Sequence, residues 1–201
     1  MLKLQDEQET EELKTEELET EEVQLEESPP PPTELRTLGL FGDVSEKKSE
    51  EIIYALLLLA NESKEDVEFY ISSTGGTAVD MFAMYDVMRS IREEVDLVTI
   101  GVGKVMSAAV ILLASGTKGK RKIGRHCRVM LHSVISSNQG ALKDLRSELQ
   151  EVEYTQNLYT KVLCEETKLT KEKIDEIISQ NINAYLSAEE AVEYGIADEI
   201  V

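Results

Sequence analysis

Ser107 is the residue whose position in the sequence points most directly to covalent chemistry. It stands between a predicted apolar strand with its glycine-bearing turn and a short apolar helix that begins at Ala108. A serine hydroxyl at such a junction can attack a carbonyl carbon. The backbone N–H of Ala108, left without a partner at the helix start, can stabilise the oxyanion that forms. Taken alone, however, this pattern more often marks a serine that only caps a helix.

A second strand-to-helix turn supplies another candidate hydrogen-bond donor. Gly75 and Gly76 follow the β-rich segment 67–71. Glycine lets the backbone approach a substrate closely and aim N–H groups outward, so the N–H of Gly76 is a second candidate for the oxyanion site. In a parallel α/β sheet both turns lie at the carboxyl edge of the strands, where catalytic sites gather.

A nucleophilic serine needs a general base, and the chain contains two histidines. His132 follows the apolar run 129–131, so we expect it at the carboxyl end of a strand and at the same sheet edge as Ser107. His126 lies among lysines and arginines and is interpreted as a surface residue. Ser107 and His132 therefore form a candidate nucleophile–base pair.

Alternating strands and helices are predicted to position these residues. The alternation favours an α/β fold with a largely parallel sheet built from βαβ units. The expected strands are 38–41, 67–71, 95–102, one near 122, and 128–131. The expected helices start at Ser45 or Ser49 and reach residue 60, then cover 79–91, 108–114 and about 141–166, with a last one from Ser187 to a stop at Gly195.

Composition excludes several classes of function. The net charge of −19 argues against nucleic acid or an anionic membrane as a partner, because both need a basic surface. The basic cluster 118–128 lacks interleaved aromatic residues and is interpreted as subunit charge pairing or a solvated turn. The longest apolar run, 52–60, is too short to cross a bilayer. The acidic N-terminus has no basic start followed by an apolar stretch, so we do not expect it to be a secretory signal. Two cysteines form neither a disulfide framework nor a zinc motif, so we expect a cytoplasmic protein.

The N-terminal segment 1–33 differs in character from the rest of the chain. Residues 1–28 hold twelve acidic residues and two lysines, and four prolines follow at 29–32. With few large apolar groups, such a segment cannot offset the entropy lost on ordering. We therefore predict a disordered acidic segment with a proline-rich spacer at 1–33, and a folded domain at 34–201.

Six short blocks stand out between about residue 38 and the end of the chain: 70–76 (YISSTGG), 84–88 (MYDVM), 106–109 (MSAA), 116–121 (GTKGKR), 128–132 (RVMLH) and 186–195 (LSAEEAVEYG). In these blocks and in their order, the chain resembles the ClpP family, the proteolytic subunit of the Clp protease.

The resemblance implies a crotonase-like spiral of βαβ units with the long helix as a protruding handle, and heptameric rings stacked in pairs around a chamber. It implies a serine endopeptidase that cleaves unfolded polypeptides with Ser107 as nucleophile, His132 as general base, and the N–H groups of Gly76 and Ala108 as oxyanion donors. It also implies an AAA+ unfoldase of the Clp type as partner. ATP use is expected in that partner, because this chain lacks a phosphate-binding Gly-x-x-x-x-Gly-Lys-Ser/Thr loop. No metal or organic cofactor is expected.

The sequence departs from the family at the third member of the triad. The family's aspartate aligns with Asn183, and the arginine that usually precedes it aligns with Ile182. An asparagine carbonyl can accept the imidazole N–H and orient His132, but it cannot stabilise the imidazolium by charge. The departure predicts a slow or conditionally assembled protease.

Two further departures lie just after His132. The family's glycine pair is Ser136 and Ser137 here, and its nearby proline is absent from the stretch 133–135.

Two other functions stay open. Asn183 and Ile182 leave room for a weak or inactive subunit that assembles with and modulates a partner protease. The implied spiral fold also admits a crotonase-type acyl-thioester enzyme, which needs no serine–histidine pair.

Overall fold

The sheet carries the candidate residues at the ends of its central strands. The computed structural model describes residues 35–180 and 183–201, so the predicted segment 1–33 lies outside the described residues. The strands are β1 (Thr37–Phe41), β2 (Val67–Ser73), β3 (Leu97–Met106), β4 (Lys122–Ile123), β5 (Arg128–Leu131), β6 (Ala184–Leu186) and β7 (Glu199–Ile200). The helices are α1 (Glu46–Glu62), α2 (Ala78–Ile91), α3 (Ala108–Ala114), α4 (Leu142–Glu166), α5 (Lys171–Gln180) and α6 (Ala188–Glu193).

The predicted α/β class with a mainly parallel sheet is confirmed. The strand order is β1-β2-β3-β4-β7, and β5 pairs with β3. All of these pairs are parallel, whereas β6 pairs with β5 in the antiparallel direction. Burial alternates along β2, as expected for a strand with two different faces. Every residue of α3 is buried, which explains why its sequence has no polar face.

Strand β3 extends further than the sequence indicated. We expected a turn at 103–106, but the strand continues to Met106 and changes partner on the way. Ile100 and Gly101 pair with β4, whereas the residues from Lys104 onward pair with β5. Gly103, with φ of +67°, lies where the register against β2 shifts. The bulge keeps the end of β3 beside the end of β2, and this places Ser107 next to the Gly75–Gly76 turn.

Helix α4 has two halves with different environments. Its second half packs into the core through Tyr159, Val162 and Leu163. Its first half is exposed, including the apolar side chains of Leu142 and Leu149. This exposed half matches the handle that the resemblance implies.

In the part of the chain that the structure describes, no helix is both long and apolar enough to cross a membrane.

Three elements were missing from the sequence-based prediction: α5, β6 and β7. The two strands contain only three and two residues, too few to show an alternating pattern. Their pairing depends on partners distant in sequence, since β6 adds to β5 and β7 adds to β4.

A buried carboxylate joins the end of α4 to the rest of the fold. The Glu166 side chain is 2% exposed and receives two hydrogen bonds from Arg92, at 2.7 and 2.9 Å. Lys118 lies 2.9 Å from the same carboxylate, and the Tyr85 hydroxyl donates to it at 3.1 Å. Burial by itself would raise the pKa of Glu166, but the hydrogen bonds from Arg92 and Lys118 outweigh it and lower that pKa to about 2.

Replacement of this carboxylate tests its contribution to stability. Because the pKa of Glu166 is lower in the folded than in the unfolded chain, its ionisation stabilises the fold above about pH 4.5. That stabilisation is lost as the pH falls towards 2. We expect Glu166→Gln to lower the free energy of unfolding by about 2 kcal/mol at pH 7, less than for a fully buried pair since Lys118 is half exposed. Denaturant unfolding at pH 7 and pH 3 measures the difference, which should shrink at pH 3.

The matched control is Glu165→Gln, whose carboxylate is 40% exposed and lies 3.5 Å from Arg89. It should change stability by less than about 0.5 kcal/mol. An equal loss for both variants, or a Glu166→Gln deficit that does not depend on pH, would contradict the account.

Candidate active site

One cavity of about 280 Å³ brings together four of the five predicted site residues. Ser107, His132, Gly76 and Ala108 all line it, and we call it the Ser107 cavity. It lies at the carboxyl ends of β3 and β5, the sheet edge that the sequence indicated. Its other lining residues are Thr77, Ala78, Met81, Ser133, Val134, Ile135 and Tyr159.

Ser107 has a backbone conformation that side chains rarely adopt. Its φ is +54° and its ψ is −125°, and it is the only residue other than glycine with positive φ among the residues described. Such a conformation costs about 1–3 kcal/mol and persists only where the surroundings hold it. The Ser107 N–H donates to the Met130 carbonyl at 2.8 Å, and the Tyr159 hydroxyl donates to the Ser107 carbonyl at 3.1 Å. Neighbouring elements therefore fix both sides of the strained residue.

The Gly75–Gly76 turn fits closely against this serine. A Cβ added to Gly75 would lie 2.6 Å from the Ser107 Cβ and 2.7 Å from the Met106 carbonyl oxygen. A Cβ added to Gly76 would lie 2.1 Å from the carbonyl oxygen of Val44. Both glycines also have positive φ, +93° and +151°. These positions need glycine for space as well as for conformation.

Two backbone N–H groups at the cavity have no acceptor among the residues that the structure describes. Ala108 is the first residue of α3, so its N–H has no partner within the helix. The N–H of Gly76 makes no hydrogen bond to any described residue, whereas the N–H groups on either side of it do. The Gly75 N–H donates to Ser73 Oγ at 3.0 Å, and the Thr77 N–H donates to the Val44 carbonyl at 3.1 Å. Two unpaired donors at one cavity are the arrangement that stabilises a developing oxyanion.

His132 is half-buried at the end of β5. Its Nδ1 lies 2.5 Å from the carbonyl oxygen of Ser133. Because a carbonyl oxygen can only accept, Nδ1 carries the proton in the neutral ring and Nε2 is left to accept one. This is the tautomer that a general base towards a serine hydroxyl needs. No hydrogen bond joins His132 to Ser107 in the described ranges.

Asn183 lies apart from the other four. It is exposed at the start of β6, on a surface depression that it shares with Lys173, Ile177 and Tyr194. Between the described residues, no hydrogen bond connects Asn183 to His132. Its role as the orienting partner of the histidine stays a prediction.

Tyr159 and Gln156 were not among the residues predicted from the sequence. Tyr159 is buried and Gln156 is half-buried in the second half of α4, where an amphipathic pattern predicts packing rather than chemistry. Burial raises the pKa of Tyr159 well above its ordinary value, so its hydroxyl stays protonated and keeps donating to Ser107. A tyrosine at a core position, whose hydroxyl must find a partner, was the available signal.

Other reactive side chains lie outside the Ser107 cavity. Burial raises the pKa of Cys127 to about 11, which keeps its thiol protonated at neutral pH. Across residues 35–180 and 183–201, no three His, Cys, Asp or Glu side chains are grouped so that they could hold a metal ion.

The contact between Gly75 and Ser107 can be tested with a matched pair of glycine substitutions. Gly75→Ala should displace the Ser107 turn and slow the reaction of its hydroxyl with a fluorophosphonate about hundredfold, because small misplacements are costly. Gly119→Ala introduces the same type of strain, at φ of +86°, with nothing within 4 Å of the added Cβ. It should react as the wild type does. Equal rates for Gly75→Ala and the wild type would show that the close fit is not needed.

The hydrogen bond from Tyr159 to Ser107 predicts a smaller effect. Tyr159→Phe leaves the Ser107 carbonyl with only the Val110 N–H, at 3.0 Å. Loss of one such bond is worth about 1 kcal/mol, so we expect a fivefold slower reaction of Ser107. The control Tyr154→Phe removes an exposed hydroxyl from the same helix and should change nothing. A rate in Tyr159→Phe equal to that of the control would argue against this support.

Comparison with known proteins places the chain in a family. Residues 33–201 match the family model described as Clp protease. The chain is 35% identical over 169 residues to the ATP-dependent Clp protease proteolytic subunit 1 of Corynebacterium glutamicum, covering 83% of this chain and 79% of that protein. It is 34% identical over 166 residues to the protein of the same name from Leifsonia xyli subsp. xyli, covering 82% of each. The chain thus belongs to the ClpP family of Clp protease proteolytic subunits.

Proposed function

We propose that this protein is a serine endopeptidase, the proteolytic subunit of a Clp-type ATP-dependent protease. The observation that carries the proposal is the Ser107 cavity, which is lined by a strained serine, a histidine and two backbone N–H donors. Within residues 35–180 and 183–201, neither the histidine Nε2 nor the two N–H donors has a hydrogen-bond partner. Membership of the ClpP family supports a peptidase of this class.

The proposed mechanism uses each of these groups once. His132 Nε2 takes the proton of Ser107 as Oγ attacks the peptide carbonyl carbon. The N–H groups of Gly76 and Ala108 donate to the oxyanion of the tetrahedral intermediate. The imidazolium then gives its proton to the leaving amine, and the acyl-enzyme forms. Water, activated by the same histidine, releases the peptide acid and restores Ser107.

An extended peptide is the substrate that the surroundings favour. The segment 133–140 after His132 makes no backbone–backbone hydrogen bond to any described residue. Apart from the Ser133 carbonyl, bonded to His132, and the Val134 N–H, bonded to Gln156, its backbone groups can therefore pair with a substrate strand. Met81, Val134 and Ile135 give the cavity an apolar lining beside the serine. Unfolded polypeptides, which expose backbone and apolar side chains together, fit both features.

We propose that the subunit works in an assembly in the cytoplasm, with heptameric rings stacked in pairs and an AAA+ unfoldase of the Clp type as partner. Leu142, Leu145 and Leu149 are exposed along the first half of α4. A second copy could cover them. Both relatives are named as subunits of an ATP-dependent protease, which supports an ATPase partner. The family arginine position, Ile182, lies outside the described residues.

Two observations favour a second candidate function. Among the described residues no hydrogen bond joins His132 to Ser107, and Asn183 lies on a different surface depression. A weak or inactive subunit that modulates a partner protease would show such a site.

Fluorophosphonate labelling of the assembled protein separates the two candidates. We expect the adduct on Ser107, located by mass spectrometry, because that hydroxyl lies with the two N–H donors. Labelling should vanish in Ser107→Ala and fall by at least about hundredfold in His132→Ala. The matched control is His126→Ala, an exposed histidine outside the cavity, which should label normally. No adduct on an assembled wild-type ring would favour the modulating subunit.

A further inference from the structure

We propose that Gln156 is a positioning residue for the general base: it anchors the peptide unit between Ser133 and Val134, whose carbonyl fixes the ring of His132. The proposal rests on the function proposed above. It concerns how His132 is held, and it gives the orienting task to a backbone carbonyl rather than to the side chain of Asn183.

The anchor is a hydrogen bond between α4 and the segment after β5. The Val134 N–H donates to Gln156 Oε1 at 2.7 Å, and Gln156 Nε2 donates to Thr160 Oγ1 at 3.2 Å. The orientation of the Gln156 amide is fixed chemically, since an N–H must face its oxygen. Thr160 is 6% exposed, so the far end of the chain of bonds is held in the core.

The other end of the same peptide unit reaches the histidine. The peptide bonds of the described chain are trans, so the Ser133 carbonyl points away from the Val134 N–H. That carbonyl oxygen lies 2.5 Å from Nδ1 of His132. Rotation of this peptide unit would break both hydrogen bonds together. Gln156 therefore holds the acceptor that selects the Nδ1–H tautomer and leaves Nε2 free.

The surroundings make Gln156 the main restraint on this peptide unit. Segment 133–140 makes no backbone–backbone hydrogen bond in the described structure, and Ser133 is exposed. A shallow depression runs between the segment and α4, lined by Val152, Glu153 and Asn157 as well as by Gln156. Of these side chains, Gln156 is the one bonded to the segment. A proline at position 134 could not form this bond, because it has no N–H.

The test measures inactivation of the full-length assembled protein by a fluorophosphonate over a range of concentrations. Gln156→Met removes the acceptor and should lower the limiting inactivation rate about tenfold, with the half-saturating concentration unchanged. Gln156→Glu keeps an oxygen opposite the Val134 N–H and should restore most of the rate. The control Gln150→Met alters an exposed residue of the same helix and should react as the wild type does.

Two further measurements keep the outcomes distinct. Hydrogen–deuterium exchange should be faster at the Val134 amide in Gln156→Met than in the wild type. Asn183→Ala should slow the reaction less than Gln156→Met does. If the wild type reacts and Gln156→Met matches it, or if Asn183→Ala has the larger effect, the positioning role is overturned while the proposed function stands. A wild type that does not react at Ser107 overturns both proposals.

Discussion

The close approach of the Gly75 backbone to Ser107 is the constraint on which the site depends. Any side chain at position 75 would overlap the serine or the end of β3. The bulge at Gly103 keeps the end of β3 beside the Gly75–Gly76 turn. The pairing of β3 with β5 places His132 at the same edge of the sheet. The strain at Ser107 is local, but it is held by two strands and a helix. The same close approach brings the two oxyanion donors together, because the N–H groups of Gly76 and Ala108 belong to the residues that directly follow Gly75 and Ser107.

Helix α4 connects this site to the stability of the fold and to its surface. In its second half, the Tyr159 hydroxyl donates a hydrogen bond to the Ser107 carbonyl. Gln156, in the same half, accepts one from the Val134 N–H, two residues after His132. Its last turn enters the ion-paired core through Glu166. Its first half is exposed and apolar on one side. Since the exposed apolar side chains and the contacts to the site lie on one helix, a displacement of α4 would affect Ser107 and His132 together.

The sequence was informative where local patterns decide the structure. Apolar periodicity and glycine-bearing turns predicted the main strands and helices, and the placement of Ser107, Gly76, Ala108 and His132 at one sheet edge followed from topology. It was less informative where tertiary pairing decides. The end of β3 was predicted as a turn, because the change of strand partner that keeps it extended has no local signature. Tyr159 and Gln156 were not identified, because their partners are backbone groups that any residue provides.

A crystal structure of the protein with Ser107 covalently modified by a peptidyl phosphonate is the most direct measurement. If the Gly75–Ser107 fit builds an oxyanion site, one phosphonate oxygen will lie about 2.7–3.1 Å from the N–H groups of both Gly76 and Ala108. Ser107 will keep its positive φ. An adduct whose oxygens turn to solvent, or a serine that relaxes to an ordinary conformation when modified, would contradict the account.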